Sequence, residues 1–284
     1  MGKWIFIGTL TLIFAGAVIW VVANVRYRKV MAQAEVAWSD LAARNTSKPL
    51  VYSANLVADL PEVAQRYFNH AIASGTPLYL RAELAMSGEF LLGEKDKQQS
   101  YAMQARQILA PPNAFVWIAE MTNGPVRING SDGLYNKHGW TRFWMFQSLP
   151  LVQVAATPDL DRAAAARPAI EAIWVPATLL PANGAVWVQT GANTAKVIFG
   201  EGAEARTLFL KIAVSGALEE VWTERWSDAN PAKIYQMQPF GGITEAQRQF
   251  GGYTIPSQVT VGNQFGTPDF LPFFRADLTS VRYF

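Results

Sequence analysis

Residues 78–92, Leu78-Tyr-Leu-Arg-Ala-Glu-Leu-Ala-Met-Ser-Gly-Glu-Phe-Leu-Leu92, alternate between two kinds of side chain. The even-numbered positions are all apolar or glycine, and the three charged residues are all odd-numbered. Because successive side chains of a β-strand point to opposite faces, this period of two indicates a long strand with one apolar face.

Shorter segments with strand-like composition come after it, separated by the turn-forming pairs Asn123-Gly124, Asn129-Gly130 and Asp132-Gly133. The predicted strands cover residues 98–109, 114–121, 126–129, 140–147, 186–190, 195–199, 207–214, 218–226, 234–237, 257–261 and 275–283. Short strands joined by tight turns favour an antiparallel sheet that curls into a barrel or half-barrel, and we predict the half-barrel. The predicted fold class is therefore mainly β, of the α+β type.

Two segments of this domain have the features of helices. Residues 61–73 begin with proline and glutamate and are amphipathic. Thr157-Pro158-Asp159 combines a hydroxyl cap, a proline and an acid in the first turn, and Pro168 divides the helix that begins there. The resulting helical insertion, at about 157–181, must pack its apolar side on the sheet, so we expect it to cover the concave face as a lid.

The N-terminal segment is predicted to cross a membrane. Residues 4–25 carry no charge and are long enough to span a bilayer as a helix. No signal-peptidase-like site comes after them, so we interpret residues 1–29 as an uncleaved anchor with a basic flank. Residues 30–48 are predicted to form a helical stem and linker, more simply a spacer than a membrane-surface or partner helix. Residues 49–284 are predicted to form the β domain.

This anchor predicts a single-pass protein of the cell (inner) membrane. Three cations, Arg26, Arg28 and Lys29, come after the span, whereas Lys3 and the α-amine precede it. That difference favours a cytoplasmic domain by one charge, but long domains cross largely regardless of such counts. The side of the membrane stays open, with the extracytoplasmic side preferred.

Composition excludes several classes of function. The 284 residues include no cysteine, which removes thiolate metal sites and cysteine nucleophiles. Beyond residue 29 there are 20 basic and 22 acidic residues, so the domain lacks the basic surface of a nucleic-acid binder. His70 and His138 lie far apart without acidic partners at ligand spacing, and no nucleophile elbow occurs. We therefore predict no metal, no cofactor and no catalytic residue, although the question of enzymatic activity stays open.

Two predicted strands, residues 114–121 and 207–214, are apolar on both faces apart from Glu120 and Lys211, and they need cover on both sides. Helices can cover the outside, and a lid or an apolar ligand the inside. An apolar cavity with few polar anchors is the usual form of a lipid site. The predicted binding residues are Trp117, Trp140, Trp144 and Trp174 as lining, with Arg66, Arg167 and Glu171 as polar anchors. The plainer alternative is that the tryptophans are ordinary core and that Arg167 and Glu171 form an i,i+4 ion pair.

Three segments of the chain resemble motifs of a widespread bacterial family of uncharacterised function. The first, Leu60-Pro-Glu-Val-Ala-Gln-Arg-Tyr-Phe68, is similar to an LPxxVxRYx opening but has its valine one position earlier. The others are a central RxxxExxWxPxxLL block at residues 167–180 and a GxxIP turn at residues 252–256. The resemblance covers about residues 58–284 and implies a fold similar to the half-barrels of lipoprotein carriers. The family usually has a tryptophan after the last motif, where this chain has Asn263-Gln264. The resemblance implies no activity.

These observations favour a membrane-anchored, non-enzymatic binding protein for an apolar ligand, a lipid or a lipidated molecule. Its partners would be the bilayer, through residues 4–25, and that ligand. The alternative is an accessory or scaffold subunit of a larger membrane complex, in which the anchor and stem make the contacts.

Overall fold

The computed structural model describes residues 2–44, 49–202 and 205–284, without the side chains of residues 2–13 and 15. The helices are α1 (Gly2–Ala43), α2 (Glu62–Ala71), α3 (Pro158–Ala164) and α4 (Ala166–Ile170), with 3-10 turns at Ala54–Val57, Glu171–Trp174, Pro176–Leu179 and Pro181–Asn183. The strands are β1 (Ala82–Leu92), β2 (Gln99–Ala110), β3 (Ala114–Asn123), β4 (Val126–Tyr135), β5 (His138–Met145), β6 (Leu149–Ala155), β7 (Ala185–Gln189), β8 (Thr194–Phe199), β9 (Arg206–Ile212), β10 (Leu218–Ser227), β11 (Gln236–Phe250), β12 (Tyr253–Asn263) and β13 (Leu271–Tyr283).

All thirteen strands belong to one antiparallel sheet. Their order is β6-β5-β4-β3-β2-β1-β13-β12-β11-β10-β9-β8-β7, so β6 and β7 end the sheet and the first strand pairs with the last. The predicted mainly β, antiparallel class is confirmed. The sequence pattern does not reveal β6, and β11 is much longer than the predicted segment at residues 234–237.

The sheet is strongly curled. Six strands separate β4 from β10, which in a flat sheet would place them about 34 Å apart at about 4.8 Å per strand. Asp132 of β4 and Arg225 of β10 nevertheless line one cavity. The concave face holds the apolar side of β1, including Leu84 and Met86, which belong to the main core as the period of two predicted.

Residues 157–183, called the insertion below, connect the two halves of the sheet and pack into its concave face. Most of their side chains from Ala166 to Leu180 are buried, and Trp174 and Leu179 belong to the main core. The Trp174 indole N–H donates to the carbonyl of Pro256 at 3.1 Å, and the Trp174 carbonyl accepts from the Tyr283 hydroxyl at 3.0 Å. The insertion is therefore hydrogen-bonded to β12 and to the end of β13, not only laid over them.

Helix α1 joins the predicted span and the predicted stem in one continuous helix. Within the part of the chain that the structure describes, no helix carries a stretch apolar and long enough to cross a membrane. Many side chains of the predicted span at residues 4–25 lie outside the described set. Residues 45–48 of the predicted linker also lie outside the described residues.

The stem is not a spacer, as the sequence suggested, but part of the folded domain. Ala34, Ala37 and Leu41 are buried against the convex face of β2 and β3. Polar contacts fix the same helix, since Gln33 accepts a hydrogen bond from Arg142 at 2.8 Å and Trp38 donates one to Glu83 at 3.1 Å. The convex face of β3 is thus covered by α1 and its concave face by the insertion, which explains why this strand is apolar on both sides.

The predicted turn at residues 129–133 is wrong, because these residues lie inside β4. Its glycines make room for aromatic rings on β5. A Cβ on Gly130 would lie 2.2 Å from the Arg142 carbonyl oxygen and 2.5 Å from the Phe143 ring, and one on Gly133 would lie 2.2 Å from the Trp140 ring. All three distances are far below van der Waals contact, so the glycines are required by packing and not by a turn.

Candidate functional site

A cavity of about 240 Å³ lies between the insertion and the concave face of the sheet. Its wall is mostly apolar and draws on both halves of the sheet. The apolar residues of the wall are Phe90, Trp117, Phe143, Ile170, Ile173, Trp174, Val221, Phe240, Ile243, Val259, Val261, Phe273 and Phe274. Ligand pockets typically measure about 300–1,000 Å³, so this cavity holds a short aliphatic chain or part of a longer one.

The insertion contributes to this wall because of how its sequence divides it. The Thr157 hydroxyl caps α3 by accepting a hydrogen bond from the Leu160 N–H at 3.2 Å. Pro168 lies within α4, and Pro176 and Pro181 begin later 3-10 turns, so the segment bends repeatedly instead of forming one straight helix. These bends let the segment track the inside of the curled sheet.

One side of the cavity wall is polar and is organised by Arg167. Its guanidinium lies 2.6 Å from the Asp132 carboxylate and 2.8 Å from that of Glu171. Gln107 also donates to Glu171, and the Thr141 hydroxyl donates to Asp132 at 3.0 Å. Burial lowers the pKa of Arg167, but the charges of Glu171 and Asp132 and their hydrogen bonds outweigh it and hold this pKa above its ordinary value.

Two aromatic rings of β3 also contact the Arg167 guanidinium. The guanidinium carbon of Arg167 lies 4.4 Å from the centre of the Phe115 ring and 5.7 Å from that of Trp117. Stacking of a cation on aromatic faces adds to the two ion pairs. Arg167 is therefore held on all sides by the protein and joins β3, β4 and the insertion.

A second arginine, Arg225 of β10, also lines the cavity, and none of the described carboxylates forms an ion pair with it. Its Nε–H donates to the carbonyl of Ala163 at 3.2 Å, and its guanidinium carbon lies 4.8 Å from the Phe240 ring centre. Burial lowers the pKa of Arg225, and the charges of Asp132 and Glu171 offset this only in part.

Of the seven predicted binding residues, the structure brings four to the cavity: Trp117, Trp174, Arg167 and Glu171. Arg66 is elsewhere, on α2, where it pairs with Glu62 and donates to the carbonyl of Ala192 and the side chain of Asn193, both at 3.0 Å. It ties that helix to the loop between β7 and β8.

The predictions for Trp140 and Trp144 need correction. In β5, Thr141 and Phe143 line the cavity, so by strand alternation Trp140 and Trp144 point to the convex face. Trp140 packs against the cluster formed with the stem, and Trp144 packs edge to face with Tyr27 of α1 at 5.3 Å. Both rings support the helix and do not line the cavity.

Sequence reasoning missed Asp132 and Arg225, the two charged residues that complete the polar side. The sequence places Asp132 in a turn, and nothing in the local pattern of β10 marks Arg225. Among the described residues there is no group of three histidine, aspartate or glutamate side chains that could hold a metal ion. The arrangement can bind the aliphatic part of a molecule and offer hydrogen-bond donors to its polar end.

Two solved structures are similar to this chain at low identity. A LolA superfamily protein from Nitrosomonas europaea is 7% identical and aligns over 78% of this chain and 92% of its own, with a TM-score of 0.40. A DUF1329 family protein from Desulfovibrio piger is 9% identical and aligns over 78% and 90%, with a TM-score of 0.39. No curated protein matches the chain. The family model described as "Family of unknown function (DUF6544)" matches residues 50–276, and the chain belongs to this family.

Proposed function

We propose that this protein binds an amphiphile, a lipid or a lipidated molecule, in the cavity between the sheet and the insertion, without converting it. The observation that carries the proposal is an apolar cavity of about 240 Å³ with one polar side. A ligand that fills this space buries apolar surface of the wall that otherwise faces water, and burial of apolar surface favours binding.

Filling the cavity tests this function. Val261 of β12 contributes to the wall, and in Val261→Phe the larger ring takes up part of the space. We expect the affinity for octanol, measured by calorimetric titration of the full chain in detergent, to fall about tenfold or more. The free energy of unfolding should change by only about 1–3 kcal/mol.

The matched control is Val186→Phe, which makes the same substitution at an exposed position of β7. It should bind octanol like the unchanged protein. Equal affinities of all three proteins would contradict binding in the cavity.

We further propose that residues 4–25 anchor this domain in the inner membrane as a single span. The later part of that segment supports it, since Val18, Ile19 and Trp20 are all exposed. An anchor would hold the cavity at a high effective concentration of lipid.

A second apolar surface lies beside this segment. It is formed by Phe146, Leu149, Leu151, Val152 and Val154, which are 40–52% exposed, and is called the apolar edge below. Asn24 donates to the carbonyl of Gln147 at 3.4 Å, which places the start of the apolar edge beside α1. A bilayer surrounding residues 4–25 would reach the Phe146 and Leu149 end of the apolar edge, because Ser148 and Pro150 lie beside residues 18–26 of α1.

The apolar edge also favours the second candidate, an accessory subunit of a membrane complex. Exposed apolar surface on the end strand of a sheet is a common site of protein contact. Replacing Leu149 and Leu151 with serine distinguishes the two functions. Loss of a co-purifying protein, with amphiphile binding unchanged, would support the subunit.

For the side of the membrane we propose an extracytoplasmic domain. The chain has no cysteine, so a single Val214→Cys substitution at an exposed position gives an unambiguous label site. We expect a membrane-impermeant maleimide to label this variant in intact spheroplasts. Labelling only after the membrane is broken would contradict the extracytoplasmic placement and indicate a cytoplasmic domain.

A further inference from the structure

The charges around the cavity balance in number but not in pairing. Arg167 and Arg225 are the two cations of the wall, and Asp132 and Glu171 are its two carboxylates. Arg167 lies within 3 Å of both carboxylates and forms ion pairs with each. Both anions are therefore already used by one of the two cations.

Arg225 is the cation of the wall that forms no ion pair with a described carboxylate. Its one hydrogen bond within the described residues runs from Nε to the Ala163 carbonyl, and none of the described carboxylates lies within 4.0 Å of its guanidinium. The two terminal nitrogens of this side chain therefore have no protein acceptor in the part of the chain that the structure describes. A guanidinium of this kind presents parallel N–H donors that match the two oxygens of a carboxylate or phosphate.

Trp117 is an independent second observation. Its ring lines the cavity, the residue is 3% exposed, and its indole N–H has no hydrogen-bond partner among the described residues. A buried N–H without an acceptor is unfavourable unless a bound molecule supplies one. The Trp117 N–H and the terminal nitrogens of Arg225 are thus donors of the wall without a protein acceptor among the described residues, whereas its carboxylates already accept hydrogen bonds.

We infer that the bound amphiphile has an oxyanion head, a carboxylate or a phosphate on an aliphatic chain, and that Arg225 binds this head. This inference rests on the proposed function and names its ligand class. The low polarity of the surrounding wall strengthens the attraction between the guanidinium and the head. The aliphatic chain occupies the side of the cavity formed by residues such as Ile173, Val259 and Phe274.

A ligand series on the unchanged full chain tests the inference without any variant. Octanoate and octyl phosphate should bind about 10- to 100-fold more tightly than octanol, and octylammonium should bind no better than octanol. Acetate and inorganic phosphate, which have the head without the chain, should show no measurable binding. Saturable binding of inorganic phosphate alone would overturn the amphiphile and indicate a site for a free anion.

Variants of Arg225 then test whether this residue binds the oxyanion head. In Arg225→Gln the preference for octanoate over octanol should fall to about threefold or less, and in Arg225→Lys it should be intermediate, because the charge remains but the fork is lost. Arg282→Gln, which removes an exposed arginine paired with Glu83, should keep the full preference. If Arg225→Gln does not fold, the ligand series on the unchanged protein tests the oxyanion head, and the octanoate preference of Arg225→Lys tests whether Arg225 binds it.

The two proposals fail in different ways. If octanol and octanoate bind equally well to the unchanged protein, the oxyanion head is wrong and the apolar cavity still binds. An unchanged preference in a folded Arg225→Gln protein would show that Arg225 does not hold the head. If none of the eight-carbon ligands binds, the proposed function itself is wrong.

Discussion

Replacing Arg167 with methionine should lower the free energy of unfolding by about 3–5 kcal/mol. The change leaves the carboxylates of Asp132 and Glu171 mostly buried without the cation that pairs with both. It also removes the contact of the guanidinium with the Phe115 ring. Urea denaturation of the full chain in detergent at neutral pH measures this loss.

Two controls separate the buried cluster from an ordinary ion pair. Arg282→Met removes an exposed arginine that pairs with Glu83 at 2.8 Å, and should cost no more than about 1 kcal/mol. Adding Asp132→Asn and Glu171→Gln to Arg167→Met removes the unpaired charges and should restore most of the lost stability. A loss below about 1 kcal/mol in Arg167→Met alone would contradict the role assigned to the cluster.

Leu41→Ala should lower the free energy of unfolding by about 2–5 kcal/mol, even though residue 41 precedes the predicted β domain. Leu41 is 0% exposed and packs with Ile108, Ala114 and Val116 on the convex face of the sheet. Removing its side chain leaves a void between helix and sheet that neither can fill without moving.

The matched control is Val36→Ala on the same helix. Val36 is 61% exposed, so its truncation should change stability by no more than about 0.5 kcal/mol. If the two variants were equally stable, α1 would not be part of the folded domain. A shortened protein for binding studies should accordingly keep residues 30–44.

The β class could be predicted because it depends on local alternation. In residues 78–92 the period of two is visible without any tertiary information, and Leu84 and Met86 lie on the buried face that it predicts. The beginning of the insertion was predictable for the same reason, since the Thr157 cap and the adjacent proline are local signals.

Asp132 could not be assigned correctly because the reason for its neighbouring glycines is not local. Asn129-Gly130 and Asp132-Gly133 have the composition of turns, yet the glycines accommodate Phe143 and Trp140 on the adjacent strand. Without that strand in place, a glycine required for close packing and a glycine required for a turn look the same.

The error on Trp140 and Trp144 has a different origin. Their spacing correctly places them on one face of β5, but alternation does not say which face is concave. The answer depends on what covers the other side, and the sequence alone presents residues 30–44 as a spacer. Because α1 packs on the convex face, that face needs large apolar side chains as much as the cavity does.

Native mass spectrometry of the full chain, extracted gently in detergent and combined with lipid identification, tests the central claim most directly. The unchanged protein should carry one amphiphile with an oxyanion head per chain, and Val261→Phe should carry much less of it. Because Val261 lines the cavity and lies outside α1, lipid bound only around the helix would be the same in both proteins. Equal amounts in both, or none in the unchanged protein, would contradict a ligand in the cavity.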